Sequence, residues 1–193
     1  MLLDSGGQYK FGTTDITRTL AKKQPTKQEQ MYYTLVLKGH IAVATATLPK
    51  GSISSTIDDL ARKFLKQHSL DYNHSTGHGI GYMLSVHEGP VGISKKNTVP
   101  LQANILLSNE PGVYIEGHMG VRIENMILTE ETNGLIGFNT ISLIPFDHQL
   151  IDFSLLTPEE ISWLKDYNET ILDTLDLPSK VKDWVDSFTD ITS

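Results

Sequence analysis

Gly12-Thr13-Thr14-Asp15-Ile16-Thr17-Arg18-Thr19, with Leu2-Leu3-Asp4-Ser5-Gly6-Gly7-Gln8-Tyr9 just before it, is the stretch on which the reading turns. Residues 1–18 read as two strands around a Gly- and Lys-containing turn, so that Asp4 and Asp15 face each other across a hairpin. Three further candidates follow in order. His78 lies in Ser75-Thr76-Gly77-His78-Gly79-Ile80-Gly81, Glu110 in Asn109-Glu110-Pro111-Gly112, and Glu124 in Gly120-Val121-Arg122-Ile123-Glu124-Asn125. Four carboxylates and one imidazole form a hard, oxygen-rich donor set that suits two divalent cations better than one zinc. Four negative charges also balance two dications, as a two-metal hydrolase requires.

Singly, each residue has a plainer reading. Asp4 before Ser-Gly-Gly is a common turn arrangement, and Asp15 can cap or bond locally. His78 between glycines sits where another group can approach the backbone closely, but a lone histidine is more often structural. Glu110 before Pro-Gly is also an exposed turn carboxylate by type. Glu124 says more. The alternation Val121-Arg122-Ile123-Glu124 puts Arg122 and Glu124 on one face of an apolar strand. Burial there is costly unless a metal or a salt bridge to Arg122 compensates it.

Outward from these segments, Thr26 and Glu29 make a capping-box signal for a helix to about Ala46, stopped by Pro49-Lys50-Gly51. A second helix starts near Ser54 or Ser55 with the stripe Ile57, Leu60, Ala61, Phe64 and Leu65. Gly-rich strand and loop run from Tyr72 to Pro90, strands follow over 99–130, and Ile141-Ser142-Leu143-Ile144-Pro145 reads as one more strand. Thr157-Pro158-Glu159-Glu160 is a strong helix start, continued by Ile161, Leu164, Ile171 and Leu172. Pro178 ends that helix, and Val181, Trp184, Val185 and Phe188 give a short last one an apolar face. The Gly-rich context argues against His74 and His78 forming a helical pair. His40, His68, His118 and His148 read as ordinary surface or core residues.

Composition narrows the class. The 193 residues suffice for one good core and an extension, and 39% hydrophobic with 20% charged residues is ordinary for a globular chain. A net charge of -7 without a Lys/Arg run argues against nucleic acid as a partner. Cysteine is absent, so disulfides and thiolate metal sites are excluded. No signal peptide or membrane-spanning stretch is visible, since Lys38 and His40 interrupt the most apolar window, Leu35 to Leu48. The expectation is a cytoplasmic protein without a membrane partner.

Order and context together carry more than any single residue. From Leu2 to about Thr129 the chain resembles the metallopeptidase family with the pita-bread fold, which includes methionine aminopeptidase, prolidase and aminopeptidase P. Asp4-Ser5-Gly6-Gly7-Gln8-Tyr9, Gly12 to Thr19, Tyr72-Asn73-His74-Ser75-Thr76-Gly77-His78-Gly79-Ile80-Gly81 and Val86-His87-Glu88-Gly89-Pro90 look like aminopeptidase P in particular. Leu156 to Leu164 is similar to the C-terminal extension of its long subgroup. The resemblance implies an α+β pita-bread fold over residues 1–133, incomplete at the N-terminus, and a helical extension over 134–193.

The resemblance also implies roles. Asp4 chelates one metal, Asp15 and Glu124 bridge both, and His78 and Glu110 complete the second. Two Mn²⁺ ions are expected, with Co²⁺ or Zn²⁺ as acceptable replacements. His87 is assigned to the substrate carbonyl or developing oxyanion, His74 to the proline side of the site, and Glu110 to the proton of the attacking water. Neither His74 nor His87 is a ligand in this reading, and Arg122 supports the metal carboxylates from behind. The substrate is a peptide with proline second, and the reaction is metal-assisted hydrolysis of the Xaa-Pro bond. Two departures stand out: Ser75 follows His74 where the family commonly has glycine, and relatives carry further structure before the first aspartate. Three readings follow: a peptidase, alone or completed by a separately encoded N-terminal half; an inactive gene remnant; and a non-catalytic peptide-binding module. The C-terminal helices, with Trp163 and Trp184, either build a homodimer contact or pack on the catalytic domain.

Overall fold

The computed structural model describes residues 1–191. Strands β1 (Leu2–Tyr9) and β2 (Gly12–Thr19) form the expected antiparallel hairpin around Lys10-Phe11. Its register pairs Asp4 with Thr17 and Gly6 with Asp15. Asp4 and Asp15 are therefore diagonal neighbours on one face rather than directly opposed, because the tight turn fixes the register.

Helix α1 (Lys27–Ala44) opens with a complete capping box between Thr26 and Glu29. It is the spine of the molecule, burying Tyr33, Val36, Leu37, His40, Ile41 and Val43 on several sides. The helix stops two residues before the expected Ala46, because Leu48–Pro49 leaves it as a short strand, β3, against a later strand. Helix α2 (Ser55–Lys66) lies beside α1 and buries Ile57, Ala61 and Leu65, two turns of the predicted stripe. The same helix buries Asp58, whose carboxylate accepts from Arg62 and from Thr76.

The Gly-rich region holds two very short strands, β4 (Gly77–His78) and β5 (Gly92–Ile93), paired with each other. β6 (Leu106–Asn109), β9 (Asn125–Thr132) and β10 (Leu135–Thr140) join β3 in a four-stranded sheet of order β3-β10-β9-β6. β7 (Gly112–Ile115) and β8 (Met119–Arg122) form a separate ribbon. β10 follows β9 through Asn133-Gly134, both at positive φ (53° and 78°), the turn chemistry of a two-residue hairpin. The strand expected over Ile141–Pro145 is absent. Its backbone is satisfied largely by side chains instead: Tyr167 Oη shares its one proton between the carbonyls of Ser142 and Ile144, Arg18 donates to those of Ile144 and Pro145, and only the Ile141 amide turns to a backbone carbonyl, that of Met126.

The C-terminal helices are α3 (Pro158–Thr174) and α4 (Ser179–Ile191), and α3 starts with a second complete capping box, Thr157 with Glu160. Leu164, Ile171, Val185 and Phe188 are buried, and most of them share the core cluster that contains α1. Lys38 of α1 meets Glu160 at 2.5 Å, with only 10% and 13% of the two side chains exposed, so the helices are tied to the rest by charge as well as packing. The last two residues of the 134–193 segment lie outside the described residues. Among the described residues no helix is long and apolar enough to cross a membrane.

Candidate metal centre

Five segments converge on one face of the hairpin. Asp4 comes from β1, Asp15 from β2, His78 from β4, Glu110 from the turn between β6 and β7, and Glu124 from the break between β8 and β9. Their donor atoms form overlapping groups, each within 4.8 Å: Asp4 with Asp15 and Glu124, His78 with Glu110 and Glu124, and Asp15 with His78 and His87. His78 Nε2 lies 3.3 Å from Asp15 Oδ2 and 3.2 Å from Glu110 Oε1.

Local sequence explains the convergence. A Cβ on Gly77 would sit 1.9 Å from the Ser108 carbonyl oxygen, so only glycine lets the His78 strand reach β6. Ser108 then accepts from the His78 amide (2.9 Å) and donates to Glu110 Oε1 (3.0 Å), fixing two donors with one hydroxyl. His78 Nδ1 lies 2.9 Å from the Gly79 carbonyl oxygen, an acceptor. With Nδ1 engaged there, Nε2 is the nitrogen that faces the carboxylate cluster, the one that would bind a metal ion once its proton is lost. Glu124, 2% exposed, receives a 2.6 Å hydrogen bond from the fully buried Thr17 hydroxyl.

Electrostatics define what the cluster wants. Burial, then repulsion from Glu110, push the Glu124 carboxyl up to about 8, against the opposing Thr17 hydrogen bond. Burial pulls His78 down, but hydrogen bonds to Asp15 and Glu110 outweigh it and raise the imidazole to about 10. Crowding of carboxylates adds to both shifts: Glu110 and Asp15 repel the charged Glu124 and hold the charged His78. Arg122 supplies some. Its guanidinium donates to Asp4 Oδ2 (2.5 Å), Thr17 Oγ1 (3.1 Å) and Tyr114 Oη (3.2 Å), and its Nε is 4.0 Å from Glu110. The salt bridge that could have joined Arg122 to Glu124 is thus replaced by contacts to Asp4 and Glu110, with Thr17 between the two residues. An oxygen-rich set with a poised imidazole and surplus negative charge fits divalent cations.

The two remaining histidines flank this cluster. His87 is exposed, its ring 4.1 Å from that of His78 and edge-on, and one of its nitrogens falls within the donor group of Asp15 and His78. An open cleft of about 380 Å³ lies between it and Asp4, lined also by Gly6, Thr13 and Val86. His74 stands on the other side, with Nε2 2.8 Å from Tyr114 Oη and its ring against Tyr72. Tyr114, Thr17 and Ser108 escaped the sequence reading. Tyr114 is two residues past Pro111-Gly112 in an alternating strand, and period two from Gly112 is the signal that could have found it.

Known proteins share this sequence and fold. Metallopeptidase family M24 matches residues 1–131, and the C-terminal region of peptidase_M24 matches residues 134–187. A Sordaria macrospora protein named "Probable Xaa-Pro aminopeptidase P" is 49% identical over 181 residues, 88% of this chain and 30% of that one. X-prolyl aminopeptidase from Caenorhabditis elegans, a cytosolic enzyme with a di-nuclear active site, is 40% identical with a TM-score of 0.89 over 100% of this chain and 33% of that one. Prolidase from Pyrococcus furiosus is 30% identical with a TM-score of 0.64, covering 72% of this chain and 40% of the other. The chain spans 28–31% of the length of several curated relatives that it matches. On the family match and these structural likenesses, the chain belongs to metallopeptidase family M24 and has its α+β pita-bread fold.

Proposed function

We propose that this chain carries the dinuclear centre of an Xaa-Pro aminopeptidase and hydrolyses the bond before a proline in second position. The observation that carries the reading is the convergence of Asp4, Asp15, His78, Glu110 and Glu124, with donor atoms within 4.8 Å in overlapping groups. Asp4, Asp15 and Glu124 would hold one ion, and Asp15, Glu124, His78 and Glu110 the other, with Mn²⁺ as the expected metal and cytoplasm as the setting. Bound there, the ions supply Lewis-acid activation of water and of the scissile carbonyl.

The chain's own residues do the rest. Glu110, oriented by the Ser108 hydroxyl at 3.0 Å, accepts the proton of the attacking water and passes it on. The Xaa-Pro nitrogen carries no hydrogen, so this proton is what lets it leave as the secondary amine of proline. His87, exposed at the cleft beside Asp15, donates to the substrate carbonyl as its oxygen gains charge. His74 is held toward the proline side by Tyr114 Oη, and Arg122 keeps Asp4 in place. Residues 1–133 form the catalytic part and 134–193 the extension. A homodimer contact through that extension belongs to the same reading.

The test is Mn²⁺-dependent release of arginine from an Arg-Pro-Pro peptide by the purified chain, against Glu110→Ala. Release that needs Mn²⁺ and disappears in the variant is expected. Release no greater than the variant's would overturn the assignment of this activity to the chain.

A further inference from the structure

Arg18 faces away from the metal cluster. In β2, Asp15 and Thr17 point to the site, so by alternation Arg18 points into the core behind it. It is 4% exposed, and the acceptors around it are neutral oxygens: the carbonyls of Thr17, Glu124, Ile144 and Pro145, Asn125 Oδ1 and Tyr167 Oη.

Two of these bonds bear on the site. Glu124 sits in the gap between β8 and β9, so it has no ladder partners of its own. Its amide donates to the Thr17 carbonyl (3.0 Å), and its carbonyl accepts from Arg18 Nη1 (2.6 Å). Arg18 Nη1 also binds the Thr17 carbonyl at 2.9 Å. The guanidinium therefore clamps the backbones of the two residues whose side chains make the 2.6 Å Thr17–Glu124 bond.

The clamp is set from the far side. Arg18 Nη2 donates to Tyr167 Oη (3.1 Å), and that oxygen also accepts from the Ile144 amide (3.2 Å). The Tyr167 ring is stacked on Phe146 and Trp163, with centroids 4.8 Å and 5.3 Å away, and Phe146 in turn stands 4.6 Å from the guanidinium. We propose that Tyr167 of α3 is a positioning residue for the metal ligand Glu124, acting through Arg18, so that the C-terminal helical segment is part of the metal site. This inference rests on the dinuclear reading above. A fixed guanidinium holds Glu124 in its ligating position before any ion arrives, which lowers the ordering cost of binding.

The test is a Mn²⁺ titration of the full chain, read by calorimetry and by the Mn²⁺ electron paramagnetic resonance signal, with melting temperature measured alongside. Tyr167→Phe keeps the stacked ring and removes only the hydroxyl. Ile171→Val, in the same helix and fully buried, is the control for plain loss of packing. The expected result is weakening of Mn²⁺ binding by about tenfold in Tyr167→Phe and unchanged affinity in Ile171→Val. Wild-type affinity in Tyr167→Phe, or equal weakening in both variants, would overturn the inference alone. Failure of the wild-type chain to bind Mn²⁺ would overturn the dinuclear reading and this inference with it.

Discussion

Removing one hydroxyl, Thr17→Val, should damage the proposed metal centre without disturbing the strand. Valine keeps the β-branched shape that suits β2, and the side chain is fully buried. What goes is the 2.6 Å bond to Glu124 and the acceptor for Arg122 Nε at 3.1 Å. With Glu124 only 2% exposed, water does not replace the lost donor, so the cost is that of an unsatisfied buried acceptor, about 2 kcal/mol. In a chain of this size that is roughly 4–8 °C in melting temperature. The same bond opposes the upward shift of the Glu124 carboxyl, so its loss also lets protons compete better with cations. Metal affinity should therefore fall about 10- to 100-fold, the usual effect of losing a partner behind a ligand. Calorimetric Mn²⁺ titration at neutral pH reads this, with Thr14→Val on the opposite face as control. Thr17→Val with wild-type affinity would refute the idea that this hydroxyl sets Glu124.

Two further outcomes follow from other parts of the molecule. His40 is fully buried between Phe146 and Trp163, and burial, aided by the Arg18 charge, depresses its imidazole to about 3. A depressed histidine contributes stability that is complete above its unfolded value near 6.5 and is lost as pH falls toward the folded one. Between pH 6.5 and 5 the loss should be about 2 kcal/mol in urea unfolding, and His40→Gln should flatten that slope. Tyr114→Phe removes the hydroxyl shared by His74 and Arg122, so kcat on Arg-Pro-Pro should drop roughly tenfold while the melting temperature stays within a few degrees, with steady-state kinetics as the check.

Features written locally were legible in the sequence. Thr26 with Glu29 and Thr157 with Glu160 each carry a helix start in four residues, and both form complete boxes. The hairpin around Lys10-Phe11 was legible for the same reason, whereas Glu124 lies in the break after β8 and meets Arg122 only through the Thr17 hydroxyl. Asn133-Gly134 is an equally local signal, for the turn into β10. The misread strand at Ile141–Pro145 failed for a different reason. Its apolar alternation is real, but its hydrogen-bond partners are Arg18 and Tyr167, far away in sequence. Thr17, Ser108 and Tyr114 belong to this second kind. A threonine in an alternating strand gives no sign that its hydroxyl will meet a glutamate 107 residues later. The residues that converge in the candidate centre could be listed from the sequence, but what holds them together is set by long-range register.

The most direct measurement is the number of Mn²⁺ ions bound per purified chain, by equilibrium dialysis and metal analysis, for wild type and Glu124→Ala. A centre built on Asp4, Asp15, His78, Glu110 and Glu124 predicts two ions in the wild type and fewer than two once the shared ligand Glu124 is gone. One ion or none in the wild type, or two retained in Glu124→Ala, would contradict it.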